Sequence, residues 1–154
     1  MSKKRKYIPK SFESTGTSSD TSANIYKSML LSPAWKSLSK GAQNLYLYMK
    51  SQYYGVATKG HPDGDSTKFH FNKCLYVNQY GANGTALYNN DSTFRKNRDE
   101  LVKNGFIRVV SDGSVTRERS VYEYSDKWKD YGIKEIDIPI KDMPLSMQRK
   151  IKSS

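Results

Sequence analysis

Two histidines, His61 and His70, a single cysteine, Cys74, and 12 tyrosines are the side chains here with the widest chemical repertoire. Their spacing offers no catalytic grouping. The histidines stand nine residues apart with no supporting acid at catalytic spacing. One cysteine can form neither an internal disulfide nor a cysteine zinc cluster, which suits a reducing cytosol. A tyrosine nucleophile needs a metal or a basic cluster fixed beside it, and no such grouping is visible. There is no Gly-x-x-x-x-Gly-Lys-Ser/Thr phosphate loop and no Ser/His/Asp order. Asp63-Gly64-Asp65 opens like a calcium loop, but the later ligands and the bidentate Glu are missing, so a turn is expected there. Neither catalysis, metal, cofactor nor small-molecule substrate is therefore expected.

The remaining chemistry is positive charge. Lys and Arg number 26 against 15 Asp and Glu, a formal charge of +11 over 154 residues, and the basic residues are spread along the chain. Such a surface attracts polyanions through phosphate contacts and counterion release. Nucleic acid is the expected partner, with a solubility device or a ribosome-associated protein as the bland alternatives.

Residues 90–124 organise the chain. Asp91 or Ser92 can cap a helix in which Phe94, Leu101 and Val102 share one side, with Arg98 at its margin. Ser92, Arg95, Lys96, Asp99 and Lys103 take the other side. Asn104-Gly105 supplies a stop. Phe106, Ile107, Val109 and Val110 then favour a strand, Asp112-Gly113 a hairpin turn, and residues 115–124 a return strand. On that strand Arg117 and Arg119, two apart, point to one face.

A helix feeding into a basic hairpin resembles the recognition helix and wing of winged helix-turn-helix DNA-binding domains. Ser92-Thr93-Phe94, Leu101-Val102-Lys103-Asn104-Gly105-Phe106-Ile107 and the Arg-bearing hairpin carry the resemblance. It implies a mainly α fold with a small β-hairpin wing (α+β) that binds double-stranded DNA. It also implies base contacts from Ser92, Thr93, Arg95 and Lys96, with Asn97 marginal. Asn89 and Asn90 precede the helix and suit phosphate. Arg108, Arg117 and Arg119 on the wing suit flanking phosphate or the minor groove. The structural alternative for Arg95 is an i,i+4 pair with Asp99; Arg98, near the buried side, is the more structural arginine. With its basic arm and extra C-terminal elements, the chain is similar to replication-initiation and accessory proteins of bacterial plasmids, phages and conjugative elements. That similarity implies a cytoplasmic protein acting at a mobile element. A transcriptional repressor of the same fold, or a protein-interaction module, would read almost the same. Winged-helix proteins often pair to read two half-sites, so a homodimer is compatible with the sequence without being required by it.

The remaining elements follow in order. Residues 1–24 read as a disordered arm, basic from Lys3 to Lys10 and then rich in Ser, Thr and Gly. A domain over residues 25–132 follows. Ile25, Tyr26, Met29 and Leu30 suit a short helix, and Ser32-Pro33 starts another that docks Trp35 and Leu38. Ser39 caps the clearest core helix, with Ala42, Leu45, Tyr46, Met49 and Tyr53 on one face and Gly55 as its stop. Its tyrosines read as core packing, ahead of a base-stacking surface. Residues 56–68 are a surface loop. Phe69-His70-Phe71 reads as a strand and Asn72 as the cap of a second helix ending near Gly81, the first half of the helix-turn-helix. The link to Asn90 is long for that motif and has room for a helical turn around Ala86-Leu87-Tyr88. Residues 125–132 suggest a short helix with Trp128 and Tyr131 packed back on the domain. Residues 133–154 hold an alternating strand from Ile136 to Ile140 and then a basic amphipathic tail. That tail reads equally as a self-association helix, a basic tail on nucleic acid or a plain surface helix. Only 36% of residues are hydrophobic and mean hydropathy is −0.81. No run approaches the ~18 apolar residues of a membrane span, and no secretory signal is expected.

Overall fold

Ser32 and Ser39 each begin a helix as their sequence context predicts. The Ser32 hydroxyl accepts from the Trp35 N–H at 3.2 Å and opens α2 (Pro33–Ser37), with Pro33 at the first position. The Ser39 hydroxyl accepts from the Ala42 N–H at 3.2 Å and opens α3 (Lys40–Lys50). A single turn, α1 (Lys27–Leu30), precedes them. The computed structural model describes residues 8–16, 22–53, 61–71 and 91–154. The expected second helix from Asn72 to Gly81, its link to Asn90, Gly55, Cys74 and most of the basic arm lie outside the described residues.

The buried side of α3 is Ala42, Leu45, Tyr46 and Met49, and it packs against α4 (Asp91–Lys103). Phe94, Leu101 and Val102 are buried on α4 as the periodicity predicts, joined by Asn97 and Arg98. Asp91 and Ser92 both lie inside this helix, so neither is its flanking cap. The Glu100 carboxylate reaches back to the start of α3. It accepts from the Ser39 N–H at 2.6 Å and from the Ser39 hydroxyl at 2.7 Å, satisfying groups left over at that helix's N-terminus.

The exit from α4 is a Schellman turn. The Gly105 N–H donates to Val102 O at 3.1 Å and the Phe106 N–H to Leu101 O at 3.0 Å, with Gly105 in the left-handed region at φ 81 as this motif favours. It turns the chain into β2 (Ile107–Ser111), which pairs antiparallel with β3 (Val121–Tyr124). The far side of β3 pairs with β1 (Lys68–His70), Phe69 opposite Tyr122. The described residues thus form an α+β structure: five α-helices and a three-stranded antiparallel sheet of order β1-β3-β2.

The helices and the sheet meet at Phe106. Its ring makes edge contacts with Trp35 (6.0 Å) and Tyr46 (5.2 Å) and stacks on Trp128 at 6.0 Å. Such pairs add about 0.5–1.5 kcal/mol each beyond area burial. Burial pushes the Tyr46 phenol up to about 12, so it stays neutral in the core.

Three expected elements differ. The return strand covers only Val121–Tyr124, because residues 112–120 form a loop that closes on itself. There the Gly113 N–H donates to the Ser120 hydroxyl at 3.1 Å, and Arg117 takes φ 61, incompatible with an extended strand. Residues 136–140 form no strand. Their alternation has no ladder partner, and Lys127 Nζ donates to the Asp137 carbonyl instead. The helix expected over 125–132 is one 3-10 turn, Lys127–Asp130. Beyond it come another 3-10 turn, Ile140–Asp142, and α5 (Leu145–Lys152). Met143 and Met147 pack these on the core.

Candidate nucleic-acid interface

One long side of α4 stays in solvent. At 100° per residue Ser92, Arg95, Lys96, Asp99 and Lys103 fall within about a third of the helix circumference, opposite Phe94 and Leu101, with Val102 at the edge beside Arg95. Arg95, Lys96 and Lys103 are exposed and form no ion pair among the described residues. The acid among them, Asp99, is already held: its Oδ1 accepts from Arg98 Nε at 3.0 Å and Nη2 at 2.9 Å. The alternative Arg95–Asp99 pair is therefore not formed, and the exposed side keeps its positive charge. Ser92 is exposed and Thr93 half-buried; both take part in other interactions.

Asn97 leaves the candidate set. It is 5% exposed and packs against Gly41 of α3, where a side chain in place of the glycine hydrogen would meet the amide at 2.7 Å. Asn90 lies outside the described residues.

Arg98 is the structural arginine that its position at the margin of the apolar side predicts. It is 7% exposed, bonds the adjacent Asp99 through two N–H groups, and reaches the Ser146 hydroxyl at 3.3 Å. It thereby joins α4 and α5. Burial pushes the Tyr122 phenol up, against the opposing pull of the Arg98 charge, so the phenol stays neutral.

The hairpin arginines separate. Arg108, on β2, is clasped between Glu123 of β3 and Asp142, the latter at 3.1 Å. Two carboxylates cancel its charge, and it stitches the C-terminal segment to the sheet. Arg117 and Arg119 are not on a strand, so they do not share a strand face. Both lie exposed in the 112–120 loop. The loop is rooted by Asp112, whose carboxylate accepts from the Ser114 N–H at 2.9 Å and from the Leu145 N–H at 2.8 Å. Burial raises the Asp112 carboxyl, but these two hydrogen bonds and the Arg98 charge outweigh it and hold it below the usual carboxylate range.

Charge is thus removed selectively: Arg98 and Arg108 are spent inside the fold, while Arg95, Lys96, Lys103, Arg117 and Arg119 remain outward. Comparison with family models, curated proteins and solved structures finds no match.

Proposed function

We propose that this chain is a winged helix-turn-helix protein that binds double-stranded DNA without catalysing a reaction. In this reading the outward side of α4 enters the major groove, and the 112–120 loop is the wing on the flanking backbone. The observation that carries it is the cationic side of α4, whose Arg95, Lys96 and Lys103 are exposed and form no ion pair among the described residues. Arg95, Lys96 and Lys103 project together while the neighbouring acid, Asp99, is neutralised by a buried arginine. The element order supports it as well: a capped helix, a strand, a helix with a tight glycine exit, and a hairpin whose second strand pairs with the first strand. Arg95 is the candidate for bidentate guanine recognition, worth about 1–3 kcal/mol of discrimination. Arg117 and Arg119 serve phosphate or minor-groove contact, and Arg108 serves the fold.

Binding to random duplex DNA by fluorescence anisotropy across a salt series tests this. The expected result is a steep salt dependence that flattens in the Arg95→Ala/Lys96→Ala and Arg117→Ala/Arg119→Ala proteins. Absence of binding at low salt would move the reading to a protein-interaction module. For process, we assign the protein to replication or maintenance of a mobile genetic element ahead of transcriptional repression, on the resemblance alone. Loss of element maintenance with unchanged transcription is the outcome that separates the two.

A further inference from the structure

Helix α5 reads Leu145-Ser146-Met147-Gln148-Arg149-Lys150-Ile151-Lys152 and contains no acid. Arg149, Lys150 and Lys152 are exposed and form no ion pair among the described residues. By itself a run of cations on a helix is a solvated face, and basic residues in a last turn complement the helix dipole. Here the position of the helix adds something.

Its first turn is fastened to both elements of the candidate interface. The Leu145 N–H donates to Asp112 at the root of the 112–120 loop (2.8 Å), and the Ser146 hydroxyl accepts from Arg98 of α4 (3.3 Å). Gln148 steadies the same turn by donating to the Met143 carbonyl at 2.8 Å. The acids near this junction are already engaged: Asp99 by Arg98, Asp112 by two backbone N–H groups, and Asp142 by Arg108. At about 1.5 Å rise per residue, Arg149 lies ~6 Å and Lys152 ~10 Å along the helix from Leu145. The cations from Arg149 to Lys152 thus spread over ~4.5 Å of the helix axis, a little more than one ~3.4 Å nucleotide step of a duplex strand.

We infer that α5 is a third DNA-contacting element, a cationic arm that grips duplex phosphates next to those met by the 112–120 loop. The inference rests on the DNA-binding reading above.

The test compares three proteins on one random duplex across a salt series: wild type, R149Q/K150Q/K152Q, and the charge-keeping R149K/K150R/K152R. Gln matches Lys and Arg in helix propensity, so circular dichroism is expected to show α5 retained. Removing one phosphate-neutralising cation lowers the log–log salt slope by about 0.9, so the Gln protein should fall by about 2–3 while the charge-keeping protein holds the wild-type slope. Single R149Q and K150Q proteins, each expected to drop by about 0.9, carry the same test should the triple variant unfold. Wild-type binding with an unchanged slope in the Gln proteins overturns the inference alone. No wild-type binding at low salt overturns the DNA reading beneath it.

Discussion

Replacing Gly105 by Ala strains the junction between α4 and β2 in two ways. The residue sits at φ 81, where a side chain costs about 1–2 kcal/mol. The new methyl would also stand 2.7 Å from Lys127 C and Trp128 N, backbone atoms that cannot swing aside. The Trp128 N–H donates to the Gly105 carbonyl at 3.1 Å, so the two segments are tied at the point of collision. Overpacking of this kind costs a further ~1–3 kcal/mol, giving about 2–5 kcal/mol in all. Gly132 supplies the control. Its φ is 76, yet an added methyl meets nothing within 4 Å, so Gly132→Ala carries only the conformational ~1–2 kcal/mol. Urea unfolding followed by tryptophan fluorescence suits the comparison, because Trp128 stacks on Phe106 and Trp35 touches the same ring. The expected outcome is a midpoint loss at Gly105 exceeding that at Gly132 by the equivalent of about 1–3 kcal/mol. Equal losses would refute the claim that close approach to residues 127–128 holds this turn.

Two other perturbations follow from the polar contacts. Glu100→Gln keeps the shape but weakens the two hydrogen bonds that Ser39 makes to the carboxylate; a loss of about 1 kcal/mol in chemical unfolding is expected, of the size of a weakened cap. Asp112→Asn tests the loop root through pH. Because the folded carboxyl titrates below its ordinary value of 3.8, its contribution is complete above that value and is lost as pH falls through the lower folded one. The stability gap between wild type and Asp112→Asn should therefore be widest near neutral pH and narrow below about pH 4. A gap constant from pH 7 to pH 2 would contradict the assignment.

What could be read from the sequence was local. Ser32 and Ser39 bond groups three residues ahead, and the turn at Gly105 lets Gly105 and Phe106 bond Val102 and Leu101; such geometry is set by neighbouring residue types. The apolar sides of α3 and α4 were legible for the same reason, as was the structural character of Arg98. The polar frame of the site was not. Glu100 reaches Ser39 across 61 positions, Arg108 meets Asp142 across 34, and Asp112 meets Leu145 across 33. No periodicity encodes such pairings. Residues 115–119 misled for a different reason. Val115 and Thr116 favour strands, but no apolar face there needs burial, and Arg117 takes a left-handed turn. Asn97, marginal among the base contacts that the resemblance implies, is buried because Gly41 opens space for it between two helices.

The central claim is that the outward side of α4 and the 112–120 loop form one DNA-binding surface. Backbone amide shift mapping during titration with a short random duplex addresses it most directly. The largest changes are expected at Ser92, Arg95, Lys96 and Lys103 and through residues 114–119. Leu45, Met49 and Phe69 in the core should stay still. Changes confined to the Lys50, Tyr53 and Tyr124 cluster, where the ammonium lies 4.3 and 5.1 Å from the two rings, would contradict it and move the binding surface to the aromatic side of the sheet.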